Sequence, residues 1–233
     1  MNERSFIELG VLNRSVKMET EEAGAAGRMH PRKIEIVTAA VTCFLERGYH
    51  QTGIRDIARQ AGVSLGNLYN HFAGKEAVLA FIAELEGREL AAFVDMLSDP
   101  EEPYAALERF IWAYAAYAAR PENALLGLEL MAEALRNPTI SQVFDGNRHQ
   151  LVAALMGCLE RGVSTGRFRH LDDTRALALM ILDTLEGQGL RQLDRKTPDP
   201  DAVRTLCAVL TTGLLARDQS PPPVPCNTPC SSA

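Results

Sequence analysis

Apolar residues in this chain recur every three or four positions, and no segment alternates with period two over the length of a strand. Such a chain can bury its oily surface only as amphipathic helices, so the fold class is all-α. Ile34, Val37, Val41, Phe44 and Leu45 share one helical face, and Gly48 stands where that helix should stop. Val78, Ile82, Leu85, Leu90, Val94 and Leu97 carry a longer helix to Ser98-Asp99-Pro100. A third, through Leu107, Phe110, Ile111, Tyr114 and Ala118, ends at Arg120-Pro121. A fourth, through Leu125, Leu128, Met131, Ala132 and Leu135, ends at Asn137-Pro138, and a fifth runs from about Thr139 to Arg161. Ala176 to Leu182 is apolar on all sides, so it needs cover from its own core and from a second copy of the chain. The helices near 173–193 and 201–217 are expected to pair across a two-fold axis through Leu179, Leu182, Leu206, Leu210 and Leu214. Gly187 and Gly189 would let backbones approach there.

The chain has 233 residues, enough for one large domain or two small ones. No run of 18 apolar residues exists, which argues against a membrane partner, and Met1 to Lys17 has no continuous apolar stretch of the kind a secretory signal needs. Five cysteines, odd in number and widely spread, do not make a disulfide framework and point to a cytoplasmic home. Cys226 and Cys230 lie in a Pro/Ser-rich segment, 219–233, expected to be a disordered tail; with no second ligand pair nearby they form no metal site. Residues 1–30 are expected to be a flexible leader.

Net charge is −6, which on its face argues against nucleic acid. Its distribution argues the other way. Between Arg28 and Ala80 seven basic residues meet four acidic ones, while the segments before and after carry −2 and −7. A locally basic unit on an acidic body separates a module that binds a polyanion from one that regulates or assembles.

Within that unit, Ile54 to Ala73 reads as two short helices joined by a tight turn. Ala58 supplies the small residue where the helices cross, and Gly62 the tolerance of positive φ that the turn needs. Ile57, Ala61, Val63 and Leu68 lock one helix on the other; Ser64 fits the N-cap of the second helix and Thr52 that of the first. This is a helix-turn-helix, whose second helix presents its N-terminal residues to base edges in the major groove. An αα-hairpin within a helical-bundle enzyme or interaction protein would share the same outline. His30, His50, His71, His149 and His170 lack metal-ligand spacing, however, and no phosphate loop or nucleophile motif is present, so neither catalysis nor a cofactor is expected.

The string Thr52-x-x-x-Asp56-Ile57-Ala58-x-x-Ala61-Gly62-Val63-Ser64-x-Gly66-x-Leu68-Tyr69-x-His71-Phe72-x-x-Lys75-Glu76-x-x-Leu79 resembles the signature of the TetR/AcrR family of transcriptional regulators. The likeness covers roughly 32–80. It departs at Gln51-Thr52, where many members carry two threonines, and at Asn67, where threonine is frequent. Leu128 to Val143 is similar to the betaine-regulator-like subgroup. The resemblance implies a DNA-binding domain over 31–76, a ligand-binding and dimerisation domain over 77–218, and a homodimeric repressor of a double-stranded operator released or engaged by a small-molecule effector. It places Thr52, Arg55, Ser64, Leu65, Gly66, Asn67, Tyr69, Asn70, His71 and Lys75 at the DNA. Hydroxyls at helix starts suit phosphates, and the two asparagines suit adenine edges or phosphates. His71 suits a DNA contact or an intra-domain role equally well.

For the effector, the resemblance makes three helices the walls of a cavity. Trp112, Tyr114 and Tyr117 lie on the first, Glu129 and Glu133 four apart on the second, and Asp183 and Glu186 on the third. Rings and carboxylates brought together would favour a lipophilic or quaternary cation. The alternative is core aromatics, with acids solvated or paired to Arg136 and Arg148.

Overall fold

A computed structural model describes residues 31–98, 102–193 and 197–215. The leader, the tail and the proposed stop at Asp99-Pro100 lie outside the described residues. Within them the chain forms α1 (Pro31–Arg47), α2 (Ile54–Gln60), α3 (Leu65–His71), α4 (Lys75–Ser98), α5 (Pro103–Ala118), α6 (Pro121–Ala134), α7 (Pro138–Ser164), α8 (Thr174–Arg191) and α9 (Pro200–Leu214). Among the described residues there is no strand, and the one isolated bridge joins Phe168 to Leu215. None of these helices is long and apolar enough to cross a membrane.

Local chemistry sets the boundaries. Gly48, at φ 79°, ends α1 in the left-handed region that a β-carbon disfavours. Prolines open α5, α6, α7 and α9, where a missing N–H costs nothing. Asp173 caps α8 by accepting the Ala176 N–H at 2.8 Å.

Two apolar clusters organise the helices. The first gathers Ile36, Val37, Phe44, Ile57, Leu68 and Phe72 from α1–α3, with Val78, Leu79, Phe81, Ile82 and Leu85 from α4. It also takes Leu126 and Leu130 from α6 and Ile140 from α7, so packing crosses residue 76 freely. The second is built from Leu90 and Leu97 of α4 with buried residues of α5, α7, α8 and α9. One uninterrupted helix, α4, contributes to both. Cys43, Cys158 and Cys207 are buried, and burial pushes the last two thiols up to about 11, which suits packing rather than reactivity.

The late pair differs from expectation. Leu182, Leu210 and Leu214 lie inside the chain's own core, and Gly189 is packed against the Ala118 carbonyl of α5. What α8 and α9 turn outward is Met180, 65% exposed, and Val209, 62% exposed. The all-apolar run therefore has an outer side at Met180, while Leu179 and Leu206 are half-buried against the core.

Candidate nucleic-acid interface and cavity

The α2–α3 hairpin forms as its sequence dictates. Gly62 adopts φ 65° in the turn, Ser64 Oγ accepts the Asn67 N–H at 3.1 Å, and Leu68 is fully buried against the first core. With Leu68 fixed inward, helical geometry turns Gly66, Asn67, Tyr69 and Asn70 to solvent, with Tyr69 49% exposed. Ser64 and Arg55 are exposed beside them, while Leu65 and His71 are half-buried at the margins. No atom lies within 4 Å of where a Gly66 β-carbon would stand, so the face is open at that point.

Two expected members are elsewhere. Thr52 is 1% exposed, and its hydroxyl lies within donating distance of the Cys43 and Gly48 carbonyls, at 3.1 and 2.9 Å. It pins the α1–α2 turn rather than reaching outward. The N-cap of α2 is Gly53, whose N–H donates to Asp56 Oδ2 at 3.0 Å, so the cap box is closed by the acid alone. Lys75 is half-buried: its ammonium donates to the Tyr49 carbonyl at 2.8 Å and lies 4.0 Å from the centre of the Tyr49 ring. Desolvation lowers its pKa, and that engagement takes it from the exposed face.

Tyr49 is also held from the other side. Its N–H donates to Glu129 Oε2 at 3.0 Å, and His50 Nε2 lies 2.7 Å from Glu133 Oε2. Glu133, 6% exposed, and Glu129 thus face the α1–α2 turn and not a cavity. The backbone at Tyr49 is clamped between α6, at its N–H, and the start of α4, at its carbonyl. Sequence reading singled out both acids but had no means of finding their partners, some 80 residues away.

The opposite side of α6 helps to wall a cavity of about 230 Å³ between α4, α5, α6, α7 and α8. Tyr114, Tyr117 and Glu186 line it as expected; Trp112, Glu129, Glu133 and Asp183 do not. Trp112 packs against the second core. Glu186 is engaged: both its oxygens take the Arg148 guanidinium at 2.7 Å, and Oε1 also accepts the Tyr114 hydroxyl at 3.0 Å. Asp183 pairs with the same Arg148 from outside. Unforeseen is Glu86 of α4, which lines the cavity beside Asn147. Burial pushes the Glu86 carboxyl up to about 7, with the Glu186 charge adding to the rise and a hydrogen bond from Asn147 Nδ2, at 3.2 Å, opposing it. Asn147 Nδ2 also donates to the Ala83 carbonyl at 2.8 Å; a β-carbon on Gly87 would stand 2.6 Å from its Oδ1, so glycine there keeps the seat open.

Comparison with known proteins places this geometry. The family model for bacterial regulatory proteins of the tetR family matches residues 36–81, and that for the C-terminal part of BetI-type transcriptional repressors matches 103–216. The chain is 30% identical over 161 residues to the HTH-type transcriptional regulator UidR of Escherichia coli, spanning 67% of this chain and 79% of that protein. It is 29% identical over 164 residues to the HTH-type transcriptional repressor KstR2 of Mycobacterium tuberculosis, spanning 68% and 80%. Among solved structures, the regulator FadR from Bacillus subtilis in complex with stearoyl-CoA aligns with a TM-score of 0.66 at 25% identity, covering 77% of this chain and 98% of that one.

Proposed function

The chain belongs to the tetR family of bacterial regulatory proteins, and from that premise we propose how it acts as a DNA-binding transcriptional repressor under small-molecule control. The observation that carries the reading is α3: a short helix pinned by buried Leu68, with Asn67, Tyr69 and Asn70 exposed on its outer face and Leu65 and His71 half-buried at the margins. Asn67 and Asn70 read base edges, Tyr69, Ser64 and Arg55 hold the phosphate backbone, Gly66 and Leu65 sit against the groove, and His71 lies at its rim. Thr52 and Lys75 serve the site by fixing the turn that carries it. Residues 31–76 form the reading unit and 77–218 the regulatory unit, with α4 common to both.

Control runs through α6. One side of this helix, at Asn123, Gly127, Leu128 and Met131, lines the cavity; the other, at Glu129 and Glu133, holds Tyr49 and His50. A ligand that favours one placement of α6 therefore biases the orientation of the α1–α3 unit, in proportion to its differential affinity for the two arrangements. Leu90, Leu130, Leu151, Leu190 and Phe144 suit an apolar ligand body, as the stearoyl-CoA held by FadR has. The working form is a cytoplasmic homodimer in which outward Met180 and Val209 meet a second copy. Two recognition helices about 34–36 Å apart then read successive major-groove turns.

The test is an electrophoretic shift of the DNA upstream of the gene against unrelated DNA over a salt series. Tight, sequence-dependent binding with a steep salt slope is expected. Weak binding of equal strength on all sequences overturns the reading.

A further inference from the structure

Accepting the cavity as the effector site, we propose that its ligand is a protonated amine on an apolar body, with the ammonium seated among Glu86, Tyr117 and Asn123. These three residues line both the main cavity and a recess of about 10 Å³ adjoining it, so they mark its polar corner. What they offer is oxygen. Asn123 spends its Nδ2 on the Tyr117 carbonyl at 2.9 Å, leaving a buried Oδ1 with no partner. Asn147 spends its Nδ2 on the Ala83 carbonyl and on Glu86. A ligand head that donates hydrogen bonds would meet this acceptor, and a buried acceptor left unmet is costly.

Charge narrows the class further. The ionisable groups around the corner are Glu86 and Glu89 on α4, Tyr114 and Tyr117 on α5, Arg120 between α5 and α6, Arg148 on α7 and Glu186 on α8. Of the two guanidiniums, Arg148 is committed to Glu186 and Asp183, and Arg120 acts on Tyr117 but is not among the groups acting on Glu86. Acting on Glu86 are its own burial, the Asn147 amide and the Glu186 charge, and of these only the neutral amide favours the carboxylate. Buried carboxylates are normally matched by a cation, and here the ligand would bring it. The stacked rings of Tyr114 and Tyr117, with centroids 5.6 Å apart, add faces that also favour positive charge. A carboxylate or phosphate in the same corner would meet two acids. The proposal keeps the cationic class expected from sequence and moves it to a different carboxylate.

Calorimetric titration of the full chain with n-octylamine, n-octanol and octanoate at pH 6 and pH 8 tests this. The amine stays charged throughout, whereas Glu86 ionises around 7. Octylamine should therefore bind roughly tenfold more tightly at pH 8 than at pH 6, and more tightly than octanol or octanoate. Glu86→Gln should remove the pH dependence and bring the amine to octanol's affinity. The proposal falls if octylamine does not bind, if octanol or octanoate binds as well, if wild-type affinity is flat with pH, or if Glu86→Gln changes nothing. The wild-type profile decides even should the variant fold poorly. An operator shift run alongside separates the two readings. Sequence-specific DNA binding without amine binding defeats this inference alone; amine binding with the expected profile but no effect on DNA affinity defeats control through the cavity and leaves the ligand class standing.

Discussion

Tyr69 and Thr52 carry similar polar groups on the same small unit, and the structure gives them opposite surroundings. Tyr69 projects from α3 beside buried Leu68, while the Thr52 hydroxyl is spent on two backbone carbonyls of the α1 end. Tyr69→Ala should weaken operator binding with no change in melting temperature. Asn67→Ala should relax preference at one base position by about 1–3 kcal/mol if its contact is bidentate. Thr52→Val should do the reverse, costing about 1–2 kcal/mol of stability while leaving the affinity of the folded fraction intact. Shift assays on variants matched for folded content check all three; operator binding untouched by Tyr69→Ala and Asn67→Ala removes this face from the DNA. Glu86 makes a further residue-scale claim in the ligand-free protein. With its carboxyl raised to about 7, the native state binds more protons than the unfolded chain between the ordinary carboxyl range and 7. The stability owed to this group is complete below that window and lost as pH rises through it. Glu86→Gln should accordingly melt higher than wild type at pH 8 and show a smaller drop between pH 5 and pH 8; equal drops in the two proteins refute the shift.

Among elements, α6 lines the cavity on one side and holds the Tyr49 turn on the other, and the clamp on Tyr49 is the output of the proposed control. Glu129 does not line the cavity, so Glu129→Ala should leave ligand binding alone while releasing the Tyr49 N–H. A hydrogen bond to a carboxylate is worth about 1.5–3 kcal/mol, so amide exchange at Tyr49 should quicken roughly tenfold or more. Unchanged protection there dissolves the clamp. How far such features can be read from sequence follows from where their causes lie. Helix α1 and its stop at Gly48, the helix breaks at Arg120-Pro121 and Asn137-Pro138, the Gly62 turn and the Ser64 cap all depend on residues within a turn of one another, and all were legible. Periodicity identifies a buried face but not what covers it. Glu129 and Glu133 were correctly placed on one face of α6, yet only packing of α1 against α6 shows that this face meets Tyr49 and His50. Glu86 sits in a helix where apolar residues crowd more than one side, so no pattern marks it; its setting arises where four other helices converge. Likewise the apolar run Ala176–Leu182 reveals excess oil, but which residue is left outside is decided by the curvature of the whole bundle.

At the scale of the whole molecule, charge and assembly must cooperate. A chain of net −6 whose segment 28–80 carries +3, between flanks of −2 and −7, meets DNA most favourably at that end, which orients each copy before contact. A single seven-residue recognition helix offers few base contacts, so the proposed dimer supplies two, held at fixed spacing by pairing of α8 and α9 with their counterparts. Exposed Met180 and Val209 stand among smaller exposed neighbours, Ala176, Thr184, Ala208 and Thr212, a surface that lets helices approach closely while contributing apolar contact at its centre. A dimer of this kind should bury at least about 1,200 Å². Substituting Lys at both Met180 and Val209 places four like charges across the two-fold axis of that interface. Sedimentation should then show a monomer at micromolar concentration, with helicity retained because neither side chain belongs to the buried core. Operator binding should fall steeply and its salt slope should drop by about half, since each bound unit would neutralise half as many phosphates. A double variant that still sediments as a dimer would move the interface away from these two helices; one that becomes monomeric yet keeps full operator affinity would show that a single copy suffices to read the DNA.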